Sequence, residues 1–295
     1  TGSQAEADSA STILVHSIRH HDETGMAIAV GDIAEYSPVE LGQLDPRFDE
    51  QTEVATFAER DVVSFSSIEG MPGSGKSVAL LFLARDLALG RGAQKIRYIT
   101  YSDRLKREAR EIFDSFGPLI AEHIVVSTFH ELLRDLLKLP RASMAVAHAD
   151  ATEQRSFVAE LDRIGAAQLG RWRAYPDTLY TELRGYVIGR SLPRGYNIPK
   201  HKHELLRRSG DAIDVEDYAR KRKFDVREAQ IAVNLGERQR DKYFVDQSLA
   251  FDALQRLTAG QAPGWLYGTD ALIVDEVQDL TLLQIALIGE MAAAR

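Results

Sequence analysis

The segment Gly70-Met71-Pro72-Gly73-Ser74-Gly75-Lys76-Ser77 places three glycines, a lysine and a hydroxyl at the spacing of a phosphate-cradling loop. Gly70, Gly73 and Gly75 admit backbone conformations that a side chain would block, so successive N–H groups can converge on phosphate oxygens at a helix N-terminus. Lys76 then reaches the β- and γ-phosphates, and the Ser77 hydroxyl faces the magnesium that bridges them. The plain alternative is a Gly-rich turn capping a helix, in which the lysine and hydroxyl are coincidental. A second segment, Leu272-Ile273-Val274-Asp275-Glu276-Val277-Gln278-Asp279, is an apolar run ending in carboxylates. Together the two specify a nucleoside triphosphate, a magnesium ion and a hydrolytic step. The acidic cluster's plain alternative is a cap on the following helix.

The elements that must position these residues follow from apolar periodicity. Val62–Ile68 reads as a strand and Val78–Leu89 as an apolar-faced helix, giving strand, loop, helix around the glycines. From Phe48 onward strands at 62–68, 95–101, 123–127 and 271–274 alternate with helices at 76–89, 103–116, 129–138 and 280–293. That alternation predicts an α/β fold with a mostly parallel sheet covered on both faces. Between Leu139 and Leu266 the strand signal disappears, and helical patterns are punctuated by Pro140, Pro176, Pro193, Pro199 and Pro263. The expected organisation is therefore a sheet domain from 46–139 and 266–295, with residues 140–265 as an inserted helical subdomain. Residues 1–45 read as an N-terminal extension of no assigned role, with strands at Thr12–His16 and Met26–Val30. His20, His21 and Asp22 lack a partner at metal-ligand spacing and read as a solvated loop.

Composition narrows the classes. The chain has 295 residues, 44% of them hydrophobic, enough for a sizeable core. No apolar run reaches about 18 residues, the length a membrane span needs. Absence of cysteine excludes disulfides, thiolate metal sites and cysteine nucleophiles and suits a cytoplasmic address. The chain opens Thr1-Gly2-Ser3 without methionine, so the native start is expected elsewhere. Net charge is −8, unevenly placed: residues 1–69 hold fourteen Asp/Glu against three Lys/Arg, whereas Arg184–Lys242 holds fifteen Lys/Arg against nine Asp/Glu. The run Arg220-Lys221-Arg222-Lys223 reads either as a solvated helix face or as a phosphate-tracking surface.

With these motifs in order, residues 48–290 resemble the UvrD/Rep-like branch of superfamily one DNA helicases, whose fold is a P-loop, RecA-like sheet. Asp275-Glu276-Val277-Gln278-Asp279 carries the resemblance, because D-E-x-Q-D is far more particular than a bare aspartate after a strand. The resemblance implies that Asp275 holds magnesium through water, that Glu276 polarises the attacking water, and that Gln278 senses the γ-phosphate and couples hydrolysis to motion. Phe48-Asp49-Glu50-Gln51 is similar to the family's upstream glutamine motif, which makes Gln51 the adenine contact and ATP the nucleotide.

Tyr98–Leu105 sits where the family has its first DNA-contacting motif. Thr100, Ser102 and Arg104 are candidate phosphate donors there, and Tyr101 can stack on a base or pack; the Tyr-Ser pair departs from the family's usual Thr-Asn. Val126-Ser127-Thr128-Phe129-His130 matches the family's Thr-Phe-His motif, which implies DNA contacts from Thr128, Phe129 and His130, with a base stacked on Phe129. Val245-Asp246-Gln247-Ser248 is an imperfect copy of a Phe-Asp-Asp-Leu segment in the helical insertion. Trp265 and Tyr267 can stack on bases or pack at a hinge.

The family continues beyond the position of Arg295 into a second RecA-like lobe that supplies arginines to the nucleotide site. The resemblance therefore implies half of an ATP-dependent translocase on single-stranded DNA, with RNA left open, weak in hydrolysis unaided. The other class is a nucleotide-gated module that controls a partner protein.

Overall fold

A computed structural model describes residues 12–17, 65–69, 75–90, 95–140, 150–164, 166–196 and 207–293. In chain order its main elements are β1 (Thr12–Ser17), β2 (Phe65–Glu69), α1 (Lys76–Gly90), β3 (Ile96–Thr100), α2 (Asp103–Ser115), β4 (Ile124–Thr128) and α3 (Phe129–Leu137). There follow α4 (Asp150–Leu161), α5 (Pro176–Glu182), α6 (Val215–Arg222), α7 (Val226–Tyr243), α8 (Val245–Thr258), β5 (Ala271–Val274) and α9 (Leu282–Ala293). Two compact units emerge among the described residues: those up to Leu132 with Pro263–Asp279, and Leu133–Ala262 with those from Leu280 on.

The first unit is α/β. Its five strands run in the order β2-β1-β5-β3-β4, and every pairing is parallel. Parallel strands need crossover connections and burial on both faces, and the sequence provides both. All four residues of β5 are buried. α1 carries buried residues around its circumference, among them Leu80, Leu81, Phe82, Leu83 and Leu87, as a helix enclosed in a core does. α2 instead is two-faced: Ala109 and Phe113 are buried, while Arg104–Glu108 and Arg110–Asp114 pair at i, i+4 on its exposed side. Ser102 caps α2 by accepting from the Leu105 N–H at 3.3 Å.

The strands and helices expected from Phe48 onward are present wherever those residues are described, within two or three residues at their ends. One expectation is corrected. Residues 1–45 had been set apart from the sheet, yet β1 lies inside it, bonded to β2 on one side and β5 on the other. Its run Thr12-Ile13-Leu14-Val15-His16 is the continuously apolar, β-branched kind that an interior parallel strand requires. The candidate strand at Met26–Val30 lies outside the described residues.

The second unit is helical, with one minor exception: Ser191–Leu192 pairs in parallel with Arg207–Arg208, two strand residues each. Its core joins Phe157, Trp172, Leu179, Leu183, Tyr218 and Phe244. Asp225 and Glu228 form a reciprocal capping box that starts α7.

The last helix, α9, was expected to cover the sheet but groups with this unit. A buried polar network explains why. The Asp246 carboxylate, 2% exposed, accepts through Oδ2 from Arg184 at 2.8 Å, Gln247 Nε2 at 2.9 Å and Gln284 Nε2 at 3.1 Å. The Thr281 hydroxyl donates to Gln247 Oε1 at 2.8 Å, and the Thr281 N–H to Gln284 Oε1 at 2.9 Å. Gly189 lets the start of α9 approach: a Cβ there would lie 2.5 Å from the Arg184 carbonyl and 2.7 Å from Thr281 Cβ.

Breaking a buried charge pair on one side typically costs about 3–5 kcal/mol. Asp246→Ala is expected to destabilise the helical unit by that order, read as a lowered midpoint in urea unfolding. A change within about 0.5 kcal/mol, the range of surface substitutions, would show that the network does not hold α9.

Candidate phosphate and metal site

Parallel pairing brings the carboxyl ends of the strands to one edge of the sheet, the side where open α/β sheets bind ligands. Ile99 pairs with Val274, and Thr100 with Thr128. One step beyond β5, the Asp275 N–H still donates to the Ile99 carbonyl at 2.8 Å, so Asp275 sits at this edge with its position fixed by the ladder.

Its side chain is 4% exposed and fully engaged. Oδ1 accepts from the Ser77 hydroxyl at 3.1 Å and from the Glu276 N–H at 2.9 Å; Oδ2 accepts from the Tyr98 hydroxyl at 3.1 Å. Glu276 turns out of the strand with φ +58°, a left-handed backbone that L residues seldom adopt and that marks strain at a turn. Gly75 has φ +83° and accepts the Ala79 N–H at 2.9 Å, placing Lys76 and Ser77 in the first turn of α1. Lys76 is buried there, 6% exposed. A helix N-terminus that carries a lysine and a hydroxyl is suited to anionic oxygens.

Burial raises the pKa of Asp275, the neighbouring Glu276 charge raises it further, and the hydrogen bonds from Ser77, Tyr98 and the Glu276 N–H oppose both. Burial also pushes the Tyr98 hydroxyl well above its ordinary value, reinforced by the Asp275 charge, so it remains a neutral donor. Ser77 and Asp275 together present hard oxygen donors of the type magnesium takes, and magnesium is commonly held by one or two protein oxygens plus substrate phosphates. Among the described residues no group of three or more His, Cys, Asp or Glu is placed to hold a metal ion.

Gln51, Gly70, Pro72, Gly73 and Ser74 lie outside the described residues. The Gln278 backbone lies in the short 3-10 helix Val277–Asp279.

The nucleic-acid candidates divide. Phe129 is 1% exposed, so its ring is core and offers no face for a base, which corrects the stacking expectation. The ring lies one residue past the end of β4, where the first residue of α3 is buried in the core. Thr128 is buried, and its hydroxyl caps α3 by accepting from the Glu131 N–H at 3.2 Å while Glu131 accepts the Thr128 N–H at 2.9 Å. Thr100 is buried too and donates to the Ser102 carbonyl. Tyr101, Ser102 and His130 are partly exposed and Arg104 is exposed; the Tyr101 and His130 rings lie 6.5 Å apart.

Three of the four residues of the basic run pair within their own unit. Arg222 forms hydrogen bonds of 2.7–3.1 Å to the buried Glu182, Lys221 pairs with Asp217 at 2.9 Å, and Arg220 bonds the same aspartate. These cations end α6, where positive charge complements the helix dipole. Trp265 packs under the Arg97 guanidinium at 3.7 Å, which favours packing over base stacking.

Sequence reasoning assigned no role to Tyr98. Its signal was a phenolic hydroxyl within a buried strand: such a group needs an acceptor. No protein-family model matches the chain, and no curated protein matches it.

Because the folded protein raises the Asp275 pKa, its stability is favoured below the unfolded carboxylate range and falls as pH rises through the folded value. Asp275→Asn is therefore expected to raise the thermal midpoint of the metal-free protein at pH 8, with the gain shrinking as pH is lowered. An unchanged or lowered midpoint at pH 8 would mean that the three hydrogen bonds outweigh burial and the Glu276 charge.

Proposed function

We propose that this chain is the nucleotide-binding half of an ATP-dependent motor on single-stranded DNA, built on a RecA-like P-loop sheet with Leu133–Ala262 as an inserted helical subdomain. One observation carries the proposal: the Ser77 hydroxyl and the Asp275 carboxylate, 198 residues apart in sequence, meet at 3.1 Å beside the N-terminus of α1. A helix cap does not explain three donors converging on one carboxylate.

In this reading Lys76 and the first N–H groups of α1 hold the triphosphate, and Ser77 and Asp275 hold the magnesium. Bound magnesium draws charge from the phosphate oxygens and orients them. Glu276, at the left-handed turn that follows β5, accepts a proton from the attacking water, a role worth about 10²–10⁴ in rate. Gln278, three residues past Asp275, couples the nucleotide state to movement, and Gln51 selects adenine. The address is cytoplasmic, and no helix among the described residues is long and apolar enough to cross a membrane. A second RecA-like lobe completes the site with arginines, a contribution of about 10³–10⁵ in related hydrolases.

The DNA-facing group is reduced to Tyr101, Ser102, Arg104 and His130, the candidates that reach the surface. The inward turn of Thr100, Thr128 and Phe129 is the specific observation that favours the second reading, a nucleotide-gated module acting on a partner protein.

Lys76→Ala and Glu276→Gln are each expected to abolish ATP hydrolysis without altering thermal unfolding, and single-stranded DNA to stimulate hydrolysis by the protein joined to its second lobe. Stimulation by no nucleic acid would transfer the assignment to the gated module. Tyr101→Ala is expected to weaken binding of a fluorescent oligothymidylate about tenfold, the size of one lost stacking contact. Phe129→Ala is expected to cost about 3–5 kcal/mol of stability instead. The reverse pattern would put Phe129 back on the DNA.

A further inference from the structure

We propose that Tyr98 is a positioning residue that commits the Asp275 carboxylate to engaging a divalent cation through Oδ1 alone, and so selects magnesium over calcium. The inference rests on the reading of Ser77 and Asp275 as the cation pair.

Asp275 has two oxygens with different neighbours. Oδ1 faces Ser77, the hydroxyl beside which the cation would sit, and is steadied by the Glu276 N–H. Oδ2 is held by Tyr98 at 3.1 Å across 177 residues of sequence. The tyrosine has little freedom to let go. It is 1% exposed, and its ring meets Phe113 edge-on at 5.3 Å. Its strand is fixed in register to β5, with Tyr98 opposite Ile273. A fixed ring and a fixed ladder hold the carboxylate plane, directing one oxygen to the helix N-terminus and the other into the core.

That constraint distinguishes cations. Magnesium demands near-ideal octahedral geometry and takes one carboxylate oxygen, directly or through water, whereas calcium takes six to eight oxygens and readily accepts both oxygens of one carboxylate. With Oδ2 occupied by a buried donor, the two-oxygen mode requires breaking the Tyr98 bond. Calcium loses its preferred contact and magnesium loses nothing. The hydroxyl also answers for its own burial, because a phenol within a core strand without an acceptor would be costly.

The test is an equilibrium titration of the full chain with a fluorescent ATP analogue in magnesium and, separately, in calcium. Wild-type protein is expected to bind more tightly with magnesium. Tyr98→Phe should narrow that ratio by about tenfold, chiefly by tighter binding with calcium, as removal of one hydrogen bond to a charged group allows. Phe113→Leu disturbs the same packing but keeps the hydroxyl, and should lower stability while leaving the ratio unchanged. A Tyr98→Phe ratio equal to wild type, in a protein whose nucleotide binding is lost in Lys76→Ala, overturns the role of Tyr98 and leaves the nucleotide site standing. No binding by wild type with either cation overturns both. If Tyr98→Phe does not unfold cooperatively, the wild-type comparison decides: equal affinity in the two cations overturns the proposal, and a magnesium preference retained in Phe113→Leu supports it.

Discussion

The Asp275 carboxylate is the point on which the candidate site depends. It is buried at the end of a fully buried strand, next to another acidic residue, and is stabilised by three donors from three parts of the chain: Ser77 on α1, Tyr98 on β3 and the N–H of Glu276. Each donor requires a different structural device. Ser77 arrives because Gly75, with φ +83°, turns the chain into α1. Tyr98 arrives because β3 and β5 pair in parallel with Tyr98 opposite Ile273. The Glu276 N–H arrives because that residue accepts a left-handed backbone. The three hydrogen bonds oppose the upward pull of burial and of the Glu276 charge on the Asp275 pKa without cancelling it.

Much of the α/β unit was legible in the sequence because its signals are local. Interior parallel strands read as apolar runs, and the Gly-Lys-Ser and Leu-Ile-Val-Asp-Glu segments mark where two of them end. The place of β1 was not legible. A short apolar strand near an acidic stretch carries no information about its neighbours, and only long-range pairing with β2 and β5 places it in the sheet. The same limit applied to Phe129. Its motif suggested a base contact, but whether the ring at a strand end faces outward or inward is set by the register of β4 and the start of α3, and here it faces the core.

The helical unit shows a related pattern on its charged surface. Four consecutive basic residues are conspicuous in sequence, but the partners of Arg220, Lys221 and Arg222, Glu182 and Asp217, are thirty-eight residues before the run's start and three before it, respectively, and only the fold brings the distant one near. Asp246 and Gln247 stood out in sequence only as part of an imperfect motif, and Thr281 and Gln284 not at all, yet the four form a buried network that binds α9 to α8 and to Arg184. Three donors meet on the single oxygen Asp246 Oδ2, which ties the elements that carry them to one another.

In the proposed function Ser77 and Asp275 flank a nucleotide-bound magnesium at the N-terminus of α1. A crystal structure of the chain with magnesium and a non-hydrolysable ATP analogue tests it most directly. The expected result is the cation beside the Ser77 hydroxyl and Asp275 Oδ1, the phosphates on the first N–H groups of α1 and on Lys76, and Tyr98 still bonded to Oδ2. A nucleotide bound elsewhere, or a Ser77–Asp275 pair unchanged with the analogue at saturating concentration, would contradict it.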